Sequence, residues 1–137
     1  MALKPIVVDT SGYTAFKLGK PAAVELLQQV PQIGISSIVL GELLAGFTWG
    51  QQQARNEQEL QHFLASPRVT ILNITAETPA YYATIYSQLR RQGRPIPTND
   101  MWIAASALEY DYAIFTYDRH FSYIEDVIVV SSLTELE

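Results

Sequence analysis

The sequence predicts an α/β protein with a mostly parallel sheet covered by helices. Short β-branched or apolar runs recur along the chain at residues 4–8, 32–36, 69–74, 113–116 and 127–130, several of them apolar on both faces, as strands buried on both sides require. Stretches of helical apolar spacing separate these runs, the alternation that parallel strands with crossover helices demand. No internal repeat, low-complexity tract or linker interrupts the 137 residues, so residues 1–137 are expected to form one domain.

The elements follow in order. Residues 4–8 read as a buried strand that ends at Asp9, and the Asp9-Thr10-Ser11-Gly12 stretch as a turn or helix cap. Helices are expected near residues 13–18 and 21–29, the second opened by Pro21, whose fixed φ suits a first turn. Residues 32–36 form a second strand. Ser36 or Ser37 then caps a helix carrying Ile38, Val39, Leu40, Glu42, Leu43 and Leu44, with Gly46 and Gly50 bracketing its end. Residues 51–64 are polar, with apolar positions at Leu60, Phe63 and Leu64, which fits a helix packed along one narrow face. Residues 69–74 give the clearest strand of the middle region. Thr75 is expected to cap a helix through Arg91 with Tyr82, Ile85 and Leu89 on its apolar face. Gly93-Arg94-Pro95-Ile96-Pro97 breaks that helix, and Thr98 is expected to cap the next, which passes through Trp102 and Leu108. Strands at 113–116 and 127–130 complete the alternation.

Composition narrows the chemistry. There is no cysteine, so disulfides and thiolate metal sites are excluded and any metal must take oxygen or imidazole ligands. The apolar runs fall far short of the roughly 20 residues of a membrane span. Met1-Ala2-Leu3-Lys4-Pro5 has no apolar signal core, and the protein reads as soluble and cytoplasmic, with no membrane partner. A net charge of -5 argues at first against a nucleic-acid partner. Setting aside four carboxylates neutralised by metal takes -5 to -1, so net charge decides nothing.

Those four are Asp9, Glu42, Asp100 and Asp118. Ligands of open parallel sheets bind beyond the carboxyl ends of strands, and Asp9 and Asp118 follow strand ends directly. Asp100 falls in the first turn of a helix, where backbone N–H groups and the local dipole favour a carboxylate. Each has a plain structural alternative: Asp9 as a helix cap, Asp118 as the shaper of the Tyr117-Asp118-Arg119 turn, Asp100 as a helix-end residue. Glu42 is harder to dismiss, because a charge within an apolar run needs exposure or a compensating partner. Were the four to meet, charges about 5 Å apart at an effective dielectric near 20 would repel by roughly 3 kcal/mol per pair. Six such pairs reach about 20 kcal/mol, more than the 5 to 15 kcal/mol typical of a small domain's stability. A clustered site therefore demands cations, and hard oxygen ligands without cysteine or clustered histidine favour Mg²⁺ or Mn²⁺ over zinc. Phosphodiester hydrolysis is the natural reaction of such a site.

The order Val7-Val8-Asp9-Thr10-Ser11, Ser36-Ser37 ahead of Gly41-Glu42-Leu43, Asn99-Asp100-Met101-Trp102-Ile103-Ala104-Ala105, and Thr116-Tyr117-Asp118-Arg119-His120-Phe121 resembles the PIN domain, most closely the VapC-type toxins of toxin–antitoxin pairs. The resemblance spans nearly the whole chain and implies a three-layer α/β/α sandwich, Mg²⁺ or Mn²⁺ at an acidic pocket, and endonucleolytic cleavage of RNA. It also implies a homodimer and inhibition by a small cognate antitoxin. Asp9, Glu42, Asp100 and Asp118 take the acidic, metal-holding positions, with Thr116, Asn99 and Ser11 as polar support. In the roles we assign on that basis, Asp9, Asp100 and Asp118 ligate metal directly or through water, and Glu42 orients or deprotonates the attacking water.

Arg90, Arg91, Arg94 and Arg119 are candidates for RNA phosphates, against the plainer reading of solvated surface charge. His62 and His120 are isolated in sequence and read as surface or packing residues. Trp102 reads as core, and at least two of Tyr81, Tyr82 and Tyr86 as core or dimer packing. Lys17 and Lys20 receive no assignment. Two rivals stand beside the ribonuclease. One is a structure-specific DNA nuclease or a non-catalytic RNA-binding subunit; the other is a receiver-like Mg²⁺-binding signalling module, disfavoured because Asp9 has no acidic neighbour and Tyr117 stands where such a module would want lysine.

Overall fold

The computed structural model describes residues 3–137; Met1 and Ala2, part of the stretch read above for a signal core, lie outside the described residues. Five strands form one sheet: β1 (Ile6–Val8), β2 (Ile33–Ser36), β3 (Val69–Leu72), β4 (Ala113–Phe115) and β5 (Val129–Val130), in the order β3-β2-β1-β4-β5. All pairings are parallel, with Ile6 opposite both Ile33 and Ala113, and Val8 opposite Phe115. The central strand is wholly apolar because both its faces are covered, and Ile6, Val7 and Val8 are fully buried.

Six helices provide the cover: α1 (Thr10–Lys17), α2 (Pro21–Gln29), α3 (Ser37–Trp49), α4 (Gln53–Leu64), α5 (Thr78–Gln92) and α6 (Thr98–Tyr110). The chain steps from β1 to β2 to β3 toward one edge and then returns past β1 to β4. Right-handed crossovers therefore put α1 to α4 on one face and the mutually packed α5 and α6 on the other, the three-layer sandwich expected. Among the described residues no helix is long and apolar enough to cross a membrane.

Several boundaries move, each for a local reason. α1 starts at Thr10 rather than Tyr13, because Asp9 is extended and the chain turns helical immediately after it. Gly12 permits this: a Cβ there would stand 2.7 Å from the Phe115 carbonyl oxygen, so α1 lies against the end of β4. Ser36 caps α3 as expected, its Oγ accepting from the Ile38 N–H at 3.0 Å, and α3 ends at Trp49, between Gly46 and Gly50, with Gly50 as its C-cap. Thr75 does not cap α5. Its Oγ accepts from the Glu77 N–H at 3.3 Å in a turn ahead of the helix, which begins at Thr78. Thr98 is the first residue inside α6, and the extended Pro97 occupies the cap position. Trp102 is partly buried, stacked on Tyr82 at 4.2 Å between ring centroids. Within the chain only Tyr82 of the three clustered tyrosines packs inward, Tyr81 and Tyr86 remaining exposed.

Candidate active site

The strands on either side of the β1/β4 pair are reached by connections heading in opposite directions, so a crevice opens at the carboxyl ends of these two strands. Asp9 follows β1, and Thr116 and Asp118 follow β4. Helix α3 brings Glu42 over this crevice, and the first turn of α6 brings Asn99 and Asp100.

One half of the crevice is tied up by hydrogen bonds. Asp9 is buried, and its Oδ2 accepts from Thr116 Oγ1 at 2.7 Å and from Ser11 Oγ at 3.3 Å. The two hydroxyls lie 3.2 Å apart and in turn accept from backbone: Ser11 Oγ from the Tyr117 N–H at 3.0 Å, Thr116 Oγ1 from the Asp118 N–H at 2.9 Å. These bonds fix the chain after β4 against the chain after β1. Glu42 is partly buried and its partners are neutral: Thr10 Oγ1 donates to Oε1 at 2.7 Å, and Asn99 Nδ2 to Oε2 at 3.3 Å. Its carboxylate thereby links α1, α3 and α6.

The other half is left open. Asp118 Oδ1 accepts from the His120 N–H at 2.9 Å, capping the 3-10 turn Arg119–Tyr123, so its structural role and its place in the crevice coexist. That turn swings the His120 ring inward, with Nδ1 3.1 Å from Asp118 Oδ1 and 3.3 Å from Asp100 Oδ2. The contact with Asp100 lacks hydrogen-bond alignment, and Asp100 Oδ2 and His120 Nδ1 are both buried without a partner. Ligating atoms of Asp100, Asp118 and His120 all lie within 4.8 Å of one another.

Crowding shows in the acidities. Burial pushes the Asp100 carboxyl up to about 6, the charges of Asp118 and Asp9 add to the rise, and the neighbouring His120 imidazole opposes it. Asp9 is also raised, by burial first and then by the charge of Glu42, against the lowering effect of hydrogen bonds from Thr116, the Thr10 backbone and Ser11. Asp9 thus feels Glu42, and Asp100 feels Asp9 and Asp118: the four acids occupy one field. A divalent cation fits the open half, where a buried carboxylate oxygen and a buried ring nitrogen lack any other partner.

Of the four carboxylates expected from the sequence, Asp100 and Asp118 bring oxygens within 4.8 Å of each other, while Asp9 and Glu42 line the same crevice, with Thr116, Ser11 and Asn99 bonded to them as described. Arg90, Arg91, Arg94 and Arg119 are exposed, Arg94 lying 4.9 Å from the Tyr123 ring centroid and Arg90 bonded to the Tyr86 hydroxyl at 3.2 Å. Reading His120 as an ordinary surface or packing residue needs correction, because its ring nitrogen enters the acidic pocket. The 3-10 turn capped by Asp118 is what returns the residue two positions on to the side of that carboxylate.

The PIN domain profile matches residues 6–127, most of the chain and every residue of the site. The chain belongs to the PIN-domain family. Among PIN proteins it is 32% identical over 107 residues to Ribonuclease VapC2 of Rickettsia felis, covering 77% of this chain and 78% of that one. It is 33% identical over 135 residues to Ribonuclease VapC1 of the same organism, covering 93% and 97%. Among solved structures, VapBC2 of Rickettsia felis bound to a DNA fragment from its promoter superposes with a TM-score of 0.82 at 26% identity, over 92% of this chain and 97% of that one. The PIN strand order β3-β2-β1-β4-β5 also disposes of the receiver-like rival, whose doubly wound sheet runs 2-1-3-4-5.

Proposed function

We propose that residues 1–137 act as one endoribonuclease domain that hydrolyses RNA phosphodiester bonds with Mg²⁺ or Mn²⁺, as the cytoplasmic toxin of a toxin–antitoxin pair. The observation that carries the chemistry is the buried, partnerless Asp100 Oδ2 facing Asp118 and His120, beside Asp9 and Glu42. Relatives named ribonucleases support the substrate class, and a fold neighbour solved as a VapBC assembly supports restraint by a cognate antitoxin.

In this reading Asp9, Asp100 and Asp118 hold the cation, which when bound polarises the scissile phosphate and lowers the pKa of water. Thr116 and Ser11 keep Asp9 oriented by donating to Oδ2, so the carboxylate does not rotate as phosphate arrives. Glu42 is held by Thr10 on Oε1 and by the longer Asn99 bond on Oε2, whose second lone pair can accept a proton from the attacking water. Exposed Arg91, Arg94 and Arg119 position the RNA backbone. The test is cleavage of total RNA and of DNA by purified protein with Mg²⁺, Mn²⁺ or EDTA. RNA cleavage that needs metal and is lost in Glu42→Gln is the expected result; equal cutting of DNA, or cutting in EDTA, overturns the assignment. A neighbouring gene whose product binds the protein and stops cleavage would supply the antitoxin.

A further inference from the structure

We infer that His120 is a nitrogen ligand of the same metal site, and that it tilts the site toward Mn²⁺ over Mg²⁺; the inference rests on the metal-dependent reading above. The pocket's partnerless atoms are one carboxylate oxygen and one imidazole nitrogen, both buried and turned toward the same point. Adjacent ligands on an octahedron with bonds of about 2.0 to 2.1 Å, the Mg²⁺ range, stand roughly 2.8 to 3.0 Å apart. His120 Nδ1 stands 3.1 and 3.3 Å from the Asp118 and Asp100 oxygens, edges that suit a slightly larger ion. The ligating atoms of Asp100, Asp118 and His120 all lie within 4.8 Å of one another.

The ring is also held where a ligand would need it. The His120 N–H is bonded to Asp118 Oδ1, and the ring packs against Tyr123 at 6.3 Å between centroids, with Arg94 on the same Tyr123 ring. A histidine merely filling surface space would turn Nδ1 to solvent, whereas here that atom is buried. Mg²⁺ is hard, demands near-ideal octahedral oxygen geometry and gains little from a nitrogen ligand, while Mn²⁺ shares its preference for carboxylates but, as the first member of the Irving–Williams series, gains more from an imidazole. A site with one nitrogen among its carboxylates therefore distinguishes the two ions where an all-oxygen site would do so less.

The experiment is pulsed electron paramagnetic resonance on Mn²⁺-loaded protein, reading the ¹⁴N coupling of directly bound imidazole. The chain has two histidines, and His62 is exposed on α4, so His62→Ala serves as the control. We expect the ¹⁴N signal in the parent and in His62→Ala, and its loss in His120→Gln. Mn²⁺ titration should show affinity falling about 10-fold or more in His120→Gln, with Mg²⁺ affinity changed about 3-fold or less. Mn²⁺ bound without ¹⁴N coupling in the parent or in His62→Ala, or equal losses for both ions, overturns the role of His120 and leaves the carboxylate site standing. No bound Mn²⁺ at all would overturn the metal reading and this inference together. If His120→Gln fails to fold, the His62→Ala spectrum alone decides the question.

Discussion

Asp100→Asn should make the metal-free protein more stable while removing its function. Asp100 and Asp118 offer oxygens within 4.8 Å, a separation at which two charges repel by about 3.5 kcal/mol at an effective dielectric of 20. The Asp118 side chain is 35% exposed, so solvent and salt cut this to about 1 to 2 kcal/mol. Replacing the charge forfeits part of the favourable placement in the first turn of α6, worth about 0.3 to 1 kcal/mol, so the net gain is about 1 kcal/mol. For a chain of 137 residues that is a rise of roughly 4 °C in Tm, read by calorimetry in EDTA at pH 7. The pH dependence supplies an internal check. Asp100 titrates near 6 in the folded protein against 3.8 unperturbed, so its ionisation opposes folding increasingly as pH rises from 3.8 to 6 and fully above it. The gap between variant and parent should therefore be present at pH 7 and gone near pH 4. With Mn²⁺ at 100 times its Kd the order reverses, because the parent gains about 2.7 kcal/mol from binding that the variant largely lacks. A metal-free variant less stable than the parent at pH 7, or a gap unchanged at pH 4, would refute the idea that burial and the neighbouring acids together oppose ionisation of Asp100 in the folded pocket.

Other changes separate chemistry from scaffold. Glu42→Gln keeps its shape and both neutral donors, and should lower kcat by about 100-fold or more with Tm nearly unchanged; parent-like single-turnover cleavage would remove Glu42 from the proton path. Thr116→Val deletes the donor to Asp9 and the acceptor for the Asp118 N–H, costing about 1 to 3 kcal/mol in urea melts, which Thr116→Ser should largely restore. Gly12→Ala forces a methyl to 2.7 Å from the Phe115 carbonyl, and a loss of about 1 to 3 kcal/mol is expected; wild-type stability would mean that α1 has room to move. Tyr117 is exposed at the pocket rim with Lys20 Nζ 6.0 Å from its ring, and Tyr117→Ala should raise KM for RNA about 10-fold with kcat changed less than 2-fold, because a ring so placed can stack a base. A fall in Tm with KM unchanged would make it a packing residue.

Much of the fold was legible because the strongest signal, an apolar run bounded by turn residues, comes directly from burial. Ile6-Val7-Val8 can be wholly apolar only as a covered central strand, and it is one. Boundaries were less legible where two local options compete. Thr75 and Thr98 both have the chemistry of a cap, yet the Glu77 N–H and Pro97 settle the start of each helix differently. The tyrosines divide for a related reason: helical spacing identifies a shared face but not its depth, and within the chain Tyr82 packs against the core while Tyr81 and Tyr86 stay exposed. The four acids could be proposed from strand ends and from an isolated charge in an apolar run. His120 could not be placed, because its contribution depends on a 3-10 turn whose direction is set by the Asp118 cap.

The unequal treatment of the four carboxylates is what ties fold to chemistry. Asp9 and Glu42 are satisfied by hydroxyls and an amide from α1, α6 and the chain after β4, so they hold their orientation without a cation. Asp100 is supplied with no donor for Oδ2 although it is buried, and the chain retains it at the cost of a raised pKa. Hydrogen-bonding all four would make the crevice comfortable and indifferent to metal; satisfying none would leave repulsion to unfold the loops that carry them. Splitting the set keeps the empty pocket folded yet short of one positive charge, so cation binding is favoured most strongly at the half where the partnerless atoms converge. Only variants at Asp100, Asp118 or His120 alter the deficit, and their effects on metal affinity should exceed those of Ser11 or Thr116 variants.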